Sequence, residues 1–85
     1  MAEGGQSIRK RSVTLAGHRT SFSLEEAFWQ SLKAAARRRG LSVNALVAEI
    51  DAARAGNLSS AIRVYLLEEA EAAAAVSRPD PRSRP

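Results

Sequence analysis

The chain has 85 residues, 45% of them hydrophobic, with a net charge of +4 and no cysteine. This length suits one small domain, the apolar fraction excludes a wholly disordered chain, and the lack of cysteine excludes disulfides and thiolate metal sites. Because the first ten residues lack the apolar core of a signal peptide and no apolar run is long enough to cross a bilayer, we expect a cytoplasmic protein that does not enter membranes.

The basic residues are concentrated in the flanks of the chain. Residues 1–20 carry four basic side chains against one acidic, and residues 77–85 carry three against one, whereas residues 21–76 have a net charge of −1. Basic arms commonly contact phosphate backbones. We therefore expect residues 1–10 to be a disordered basic arm. Lys10, at the end of this arm, and Arg11, at the start of the domain, are expected to bind phosphate. The domain is predicted over residues 11–76, followed by a disordered tail over residues 77–85.

Alternation of polar and apolar residues predicts one short strand over residues 19–24. Apolar residues occupy odd positions before Gly17 and even positions after it. This change of phase indicates a turn or a bulge at the glycine. The residues that carry the two phases are Val13 and Leu15, then Phe22 and Leu24.

The first predicted helix follows the strand directly. Ser23 and Glu26 have the spacing of a capping box, in which the serine is the N-cap and the glutamate lies three residues later. The helix then continues to about Arg39, and Gly40 provides its C-cap. Its apolar stripe includes Phe28 and Leu32.

Two more helices complete the predicted order of elements. Ser42 caps the second helix, whose apolar stripe has the spacing i, i+3, i+4 and i+7, and residues 56–57 end it. A third helix begins near Ser59 and frays through the alanine-rich segment before the tail. The stripe of the second helix comprises Val43, Leu46, Val47 and Ile50.

A single strand needs a partner, because its backbone N–H and C=O groups would otherwise stay unpaired. Residues 13–15 could fold back as a hairpin, although the intervening Ala-Gly-His-Arg is not a strong two-residue turn signal. The interpretation we favour pairs residues 19–24 with their copy in a homodimer. The same interface would bury the apolar faces of the strand and of the first two helices, which gives a predicted dimer core of Phe22, Leu24, Phe28, Leu32, Val43, Leu46, Val47 and Ile50.

The strand, the capped helix and the segment "RRGLSVNALV" together resemble the ribbon-helix-helix DNA-binding proteins, typified by the Arc and MetJ repressors. The resemblance covers residues 19–54, and its most specific part is "GLSVNALV". The lead-in "SVTLAGHRTS" and the third helix with "GNLSSAIRV" are similar to a bacterial subgroup with an additional C-terminal helix. The implied fold is mainly α, with the strand paired across a homodimer. The resemblance implies sequence-specific binding of double-stranded DNA by a transcriptional regulator, such as a repressor.

The resemblance also implies the roles of individual residues. The paired strands would lie in the major groove, with Arg19, Ser21 and Ser23 facing the bases. Arg19 can bind guanine with two hydrogen bonds, whereas serine hydroxyls discriminate poorly between bases. The start of the second helix, Ser42, Val43 and Asn44, would bind phosphate, which suits the free N–H groups of a helix N-terminus.

Three other functions compete with the ribbon. A helix-turn-helix around "AARRRGLSVNALV" is disfavoured because the outward face of the second helix is mostly alanine. A dimerisation or protein-interaction module without DNA readout, for example one that binds a partner through the third helix, is supported by the net charge of −1 over residues 21–76. An enzyme is not expected, since the sequence has neither a nucleophile–base set nor a metal cluster, and no cofactor or metal is expected.

Overall fold

A computed structural model describes residues 7–77. Two strands, β1 (Ile8–Leu15) and β2 (His18–Glu25), precede three helices: α1 (Glu26–Arg39), α2 (Val43–Ala53) and α3 (Leu58–Ser77). The predicted order of a strand, two helices and a third helix is confirmed, with one more strand in front. The interpretations of residues 1–6 and of residues 78–85 as a disordered arm and tail lie outside the described residues.

A tight turn joins β1 and β2 into an antiparallel hairpin. Leu15 pairs with His18, so the loop consists of Ala16 and Gly17 alone. Both have positive φ, 51° for Ala16 and 84° for Gly17. Two successive residues with positive φ form the turn whose twist matches that of the flanking strands. The ladder extends from this turn to the pair of Ile8 with Glu25.

The prediction of one strand without a partner in its own chain is wrong. In the hairpin register the numbers of paired residues sum to 33, so odd positions of β1 and even positions of β2 lie on the same face. The phase change at Gly17 is therefore the mark of a two-residue turn. β1 also includes residues 8–10, which were predicted to belong to the disordered arm. Pairing of β2 across a dimer is not shown.

The capping box predicted at the start of α1 does not form. The strand β2 continues to Glu25, which is the N-cap residue and makes no side-chain capping bond. Ser23 lies within the strand, and its N–H donates to Ser59 Oγ at 2.9 Å. The other end of α1 agrees with the sequence, because Gly40 adopts the left-handed conformation with φ of 70°.

Side-chain caps begin the other two helices. Ser42 Oγ accepts from the N–H of Ala45 at 3.0 Å, which confirms the predicted N-cap of α2. Asn57 Oδ1 accepts from the N–H of Ser60 at 3.0 Å and does the same for α3. These caps fix where each helix begins and therefore which residues its first turn presents to the hairpin.

The core lies between one face of the hairpin and the three helices. From α3, Leu58, Ile62 and Leu66 are buried against the hairpin, α1 and α2. Six residues of the predicted dimer core are thereby buried within the single chain, and Phe28 and Val43 are partly buried. A second copy is not needed to bury them, and their place in a dimer interface stays a prediction. The six are Phe22, Leu24, Leu32, Leu46, Val47 and Ile50.

The strained turn gives a first test. Replacing Ala16 by Asn should raise the free energy of unfolding by about 0.5–1 kcal/mol, because Asn tolerates positive φ better than Ala. The same change at Ala45, which is exposed within α2, should lower it by about 0.5 kcal/mol through lost helix propensity. Urea denaturation measures both. A loss of stability in Ala16→Asn would contradict the turn geometry.

The contribution of α3 to the core gives a second test. Ile62→Ala should lower the free energy of unfolding by about 2–5 kcal/mol, because Ile62 is completely buried. Leu67→Ala, on the same helix but 55% exposed, should change it by less than about 0.5 kcal/mol. Equal effects in thermal or urea unfolding would show that α3 does not cover the core.

Candidate nucleic-acid interface

The hairpin has one apolar face and one polar face. The apolar face, with Leu15, Phe22 and Leu24, is buried on the helices. Because paired residues share a face, the register places four residues of β1 with four of β2 on the opposite side. The pair farthest from the turn on this side is Ile8, which is exposed, with Glu25. We call the other six residues the outer face; it comprises Lys10, Ser12, Thr14, Arg19, Ser21 and Ser23.

The outer face is polar and basic over its whole length. Across the strands, Lys10 opposes Ser23, Ser12 opposes Ser21, and Thr14 opposes Arg19. The residues of β1 and Arg19 are exposed, and the two serines of β2 are partly exposed. The two cations thus lie near opposite ends, with hydroxyls between them and no acidic side chain among the six. The predicted base-facing residues Arg19, Ser21 and Ser23 are brought together on this face.

Arg11 lies on the other side of the sheet from Lys10. Its guanidinium stacks on the ring of Trp29, with Cζ 3.8 Å from the ring centroid. Arg11 Nη2 also donates to Glu26 Oε1 at 3.5 Å, and its Nε is buried without a hydrogen-bond partner among the described residues. Arg11 therefore joins β1 to the start of α1, which is not the exposed position that a phosphate contact requires. Lys10 keeps the exposed position predicted for it.

The start of α2 lies against the edge of β1. Asn44 Nδ2 donates to the carbonyl of Thr14 at 2.8 Å. The hydroxyl of Ser42 accepts the N–H of Ala45, and the carbonyl of Ser42 accepts the N–H of Leu46. This leaves the N–H groups of Val43 and Asn44 without an acceptor inside the helix, as expected for a first turn. The predicted phosphate site is thus tied to the strand that carries part of the outer face.

The edge of β2 is held by α3. Ser59 accepts the N–H of Ser23, and Arg63 Nη2 donates to the Ser23 carbonyl at 3.4 Å. Arg63 Nε also donates to Glu25 Oε1 at 2.9 Å. This hydrogen bond from Arg63 is the largest of the effects that hold the pKa of Glu25 below its ordinary value. The negative charge of Glu25 is therefore balanced by Arg63 of α3 at the end of the strand.

The arginine run at the end of α1 connects helices. Arg38 pairs with Glu69 at 3.3 Å. Arg39 donates to the Tyr65 hydroxyl at 3.4 Å and to Glu49 at 2.9 Å, and these bonds raise the pKa of Arg39. Two of the three arginines thus join α1 to α2 and α3, away from the outer face.

The sequence analysis missed several residues of this site. Ser12 and Thr14 alternate with buried or partly buried neighbours, so the pattern of β1 could have placed them beside the predicted trio. The links from Asn44 and Ser59 to strand backbone have no local signal, since they join residues that are 30 and 36 positions apart.

A family model described as a ribbon-helix-helix domain matches residues 8–70, from the start of β1 into α3. The chain belongs to the ribbon-helix-helix domain family. Its fold is similar to that of a solved structure, an uncharacterized protein from Bordetella pertussis Tohama I, with a TM-score of 0.76 and 28% sequence identity. The alignment covers 100% of this chain and 73% of that one. A search of curated proteins gives no significant match.

The described part of the ribbon-helix-helix chain carries neither a metal-binding cluster nor a membrane-spanning helix. Among residues 7–77, no group of three His, Asp or Glu side chains is placed to hold a metal ion. No helix in the same range combines the length and the apolar character needed to span a bilayer.

Proposed function

We propose that this ribbon-helix-helix protein binds double-stranded DNA, with the outer face of the hairpin in the major groove. The observation that carries the proposal is the segregation of side chains in the sheet: the six outer-face residues are polar and include two cations, whereas Leu15, Phe22 and Leu24 on the other side are buried. The two cations of the outer face suit the negative potential of DNA, and the carboxylate at the end of the same side, Glu25, is paired with Arg63 at 2.9 Å. Hydroxyl, guanidinium and ammonium groups are the donors that base edges and phosphates accept.

The dimensions of the hairpin fit this groove. Eight residues per strand give a length of about 26 Å. A two-stranded ribbon enters the major groove, which is about 12 Å wide. We assign base contacts to Arg19, Ser21 and Ser23. Arg19 is the residue able to specify a base strongly, through a bidentate contact with guanine, and the serines add weaker selection.

Phosphate contacts are assigned to the start of α2 and to Lys10. The free N–H groups of Val43 and Asn44 and the hydroxyl of Ser42 lie at the positive end of the helix dipole, which favours an anionic oxygen. The bond from Asn44 to Thr14 holds this helix end beside β1. A phosphate bound there would be next to the strand that lies in the groove.

The proposal includes a homodimer that acts as a transcriptional regulator, and specifically as a repressor. Three base-facing side chains, two of them serines, specify few base pairs. A second copy related by a two-fold axis would double the recognised site and give it a palindromic form. Family membership supports this arrangement.

A second candidate function has its own observation. Between the end of α2 and α3 lies a cavity of about 540 Å³, lined among others by Ile50, Val64 and Tyr65. Val64 itself is 52% exposed, and Leu67, three residues further along α3, is 55% exposed. An apolar surface of this kind is typical of a protein-binding site. The alternative is therefore a protein-interaction module that binds through α3 and does not read DNA.

A matched pair of arginine variants tests the proposal. Arg19→Ala should weaken binding to a duplex selected from a random pool by about 5- to 100-fold, since it removes a base contact. Arg37→Ala removes the same charge from an exposed position at the end of α1 and should weaken binding less than about threefold. Fluorescence anisotropy at several salt concentrations measures both variants.

Either of two results would count against the outer face. Equal losses in the two variants would mean that total charge, and not the outer face, holds the DNA. If the wild-type protein bound no duplex even at low salt, the protein-interaction module would be the better account, because phosphate contacts strengthen as salt is lowered.

A further inference from the structure

The middle pair of the outer face carries an exposed hydroxyl group. It belongs to Ser12 of β1, which opposes the partly exposed Ser21 of β2. Lys10 lies two positions along the same strand, about 7 Å away. Arg19 lies diagonally across the ladder at about 7–8 Å, a distance that long side chains span. Both cations of the outer face are therefore neighbours of this hydroxyl.

Three basic residues come directly before this serine. Arg9 and Lys10 are exposed, and neither makes an ion pair within residues 7–77. Arg11 is held on Trp29. Two accessible cations thus lie three and two positions before Ser12, where serine kinases with an acidic substrate cleft select basic side chains. Of the four hydroxyl residues of the outer face, Ser12 is the one preceded by arginine or lysine at both positions.

The serine also lies on a strand edge that another protein can approach. The carbonyl of Thr14 points away from β2, since it accepts from Asn44 of α2. Residues two positions apart point their backbone groups to the same side, so those of Lys10 and Ser12 point away from β2 as well. Within residues 7–77 these groups make no hydrogen bond. An extended segment with a free edge is a form in which proteins bind a chain through main-chain hydrogen bonds.

We propose that Ser12 is a phosphorylation site for a serine kinase with an acidic substrate cleft, and that the phosphate prevents the outer face from binding DNA. The inference rests on the DNA binding in the proposed function and adds its regulation. In the reaction, Ser12 Oγ attacks the γ-phosphorus of ATP and forms the new P–O bond. The bond from that phosphorus to the oxygen bridging the β- and γ-phosphates breaks, ADP leaves, and the hydroxyl proton passes to a carboxylate of the kinase.

A phosphate on Ser12 would neutralise the outer face from within. It carries a charge of about −1.5 to −2 at pH 7, against the two positive charges of Lys10 and Arg19. Its oxygens accept charge-assisted hydrogen bonds, and the two long side chains reach it from either side. The cations would then be bound to this phosphate instead of to DNA, and the phosphates of the duplex would repel it.

Treatment of the full chain with ATP and the catalytic subunit of cyclic-AMP-dependent protein kinase tests the site. We expect the main phosphorylated residue, located by tandem mass spectrometry, to be Ser12. Arg9→Ala should slow its phosphorylation by about tenfold or more, whereas Arg37→Ala removes the same charge elsewhere and should leave the rate unchanged. A folded chain that stays unmodified, or that is modified mainly at another residue, would overturn the proposal. Equal rates in the two arginine variants would do so as well.

Fluorescence anisotropy with a selected duplex measures the effect on DNA binding, with each protein compared before and after kinase treatment. The wild-type protein should lose affinity by about tenfold or more, and the slope of log affinity against log salt should become shallower by about 1–2 per chain. Ser12→Ala controls for phosphate at other residues, and kinase treatment should change its affinity by less than about twofold. A loss of less than about threefold in the phosphorylated wild-type protein would overturn the proposal.

A measurement without DNA separates this inference from the proposed function. In the phosphorylated chain, Lys10 and Arg19 should hold the second pKa of the phosphoserine below its value in a phosphopeptide of residues 7–16, which lacks Arg19. Phosphorus NMR at a series of pH values measures both. If this pKa is lowered but the untreated protein binds no duplex, the DNA-binding function fails while the phosphorylation site and its pairing with the two cations stand. An unchanged pKa would show that the cations do not bind the phosphate, which overturns the proposal.

Discussion

The antiparallel ladder between β1 and β2 is the constraint on which the rest of the structure depends. Its two-residue loop fixes the register, and the register decides which side chains share a face. A shift of β2 by one residue would turn Phe22 and Leu24 out of the core and bring the serines in. The division into a buried face and a basic face is therefore a direct result of the turn at Ala16 and Gly17, whose positive φ values allow it.

The helices hold this ladder from both sides. Asn44, in the first turn of α2, bonds to the outer edge of β1, and Ser59, in the first turn of α3, bonds to the outer edge of β2. Exposed strand edges tend to pair with other chains, so such bonds limit where pairing can occur. The Asn44 bond also fixes the start of α2 relative to the outer face, and the proposed phosphate and groove contacts depend on that relation.

The third helix explains how so small a chain closes its core. Side chains such as Ile62 and Leu66 each stabilise the fold by about 1.5–3 kcal/mol when buried. They cover the apolar stripes of α1 and α2 that the sequence analysis assigned to a dimer interface. Because one chain buries these stripes, the proposed homodimer would have to form through other surfaces, such as the strand edge or the exposed side of α3.

Much of this could be predicted from local signals, and the failures have physical reasons. A few neighbouring residues determine the N-cap at Ser42, the C-cap at Gly40 and the face of β2 that packs on the core. The hairpin was not the pairing that the sequence analysis favoured, because two-residue turns with positive φ usually have the sequence Asn-Gly or Asp-Gly. Here the first position is Ala16, and alanine rarely adopts positive φ. The capping box at Ser23 failed because the ladder with β1 kept that residue extended. The direction of Arg11 depended on the position of Trp29, 18 residues away, which periodicity does not reveal.

The central claim is that the outer face is the surface that meets DNA. The most direct measurement is a titration of the 15N-labelled protein with a selected duplex, followed by amide chemical shifts. The account predicts that the largest shifts fall on the outer face and at the start of α2, while the exposed side of α3 around Val64 and Leu67 changes little. Shifts concentrated on α3, with the outer face unaffected, would contradict it. The outer-face amides to follow are those of Lys10, Ser12, Thr14, Arg19, Ser21 and Ser23.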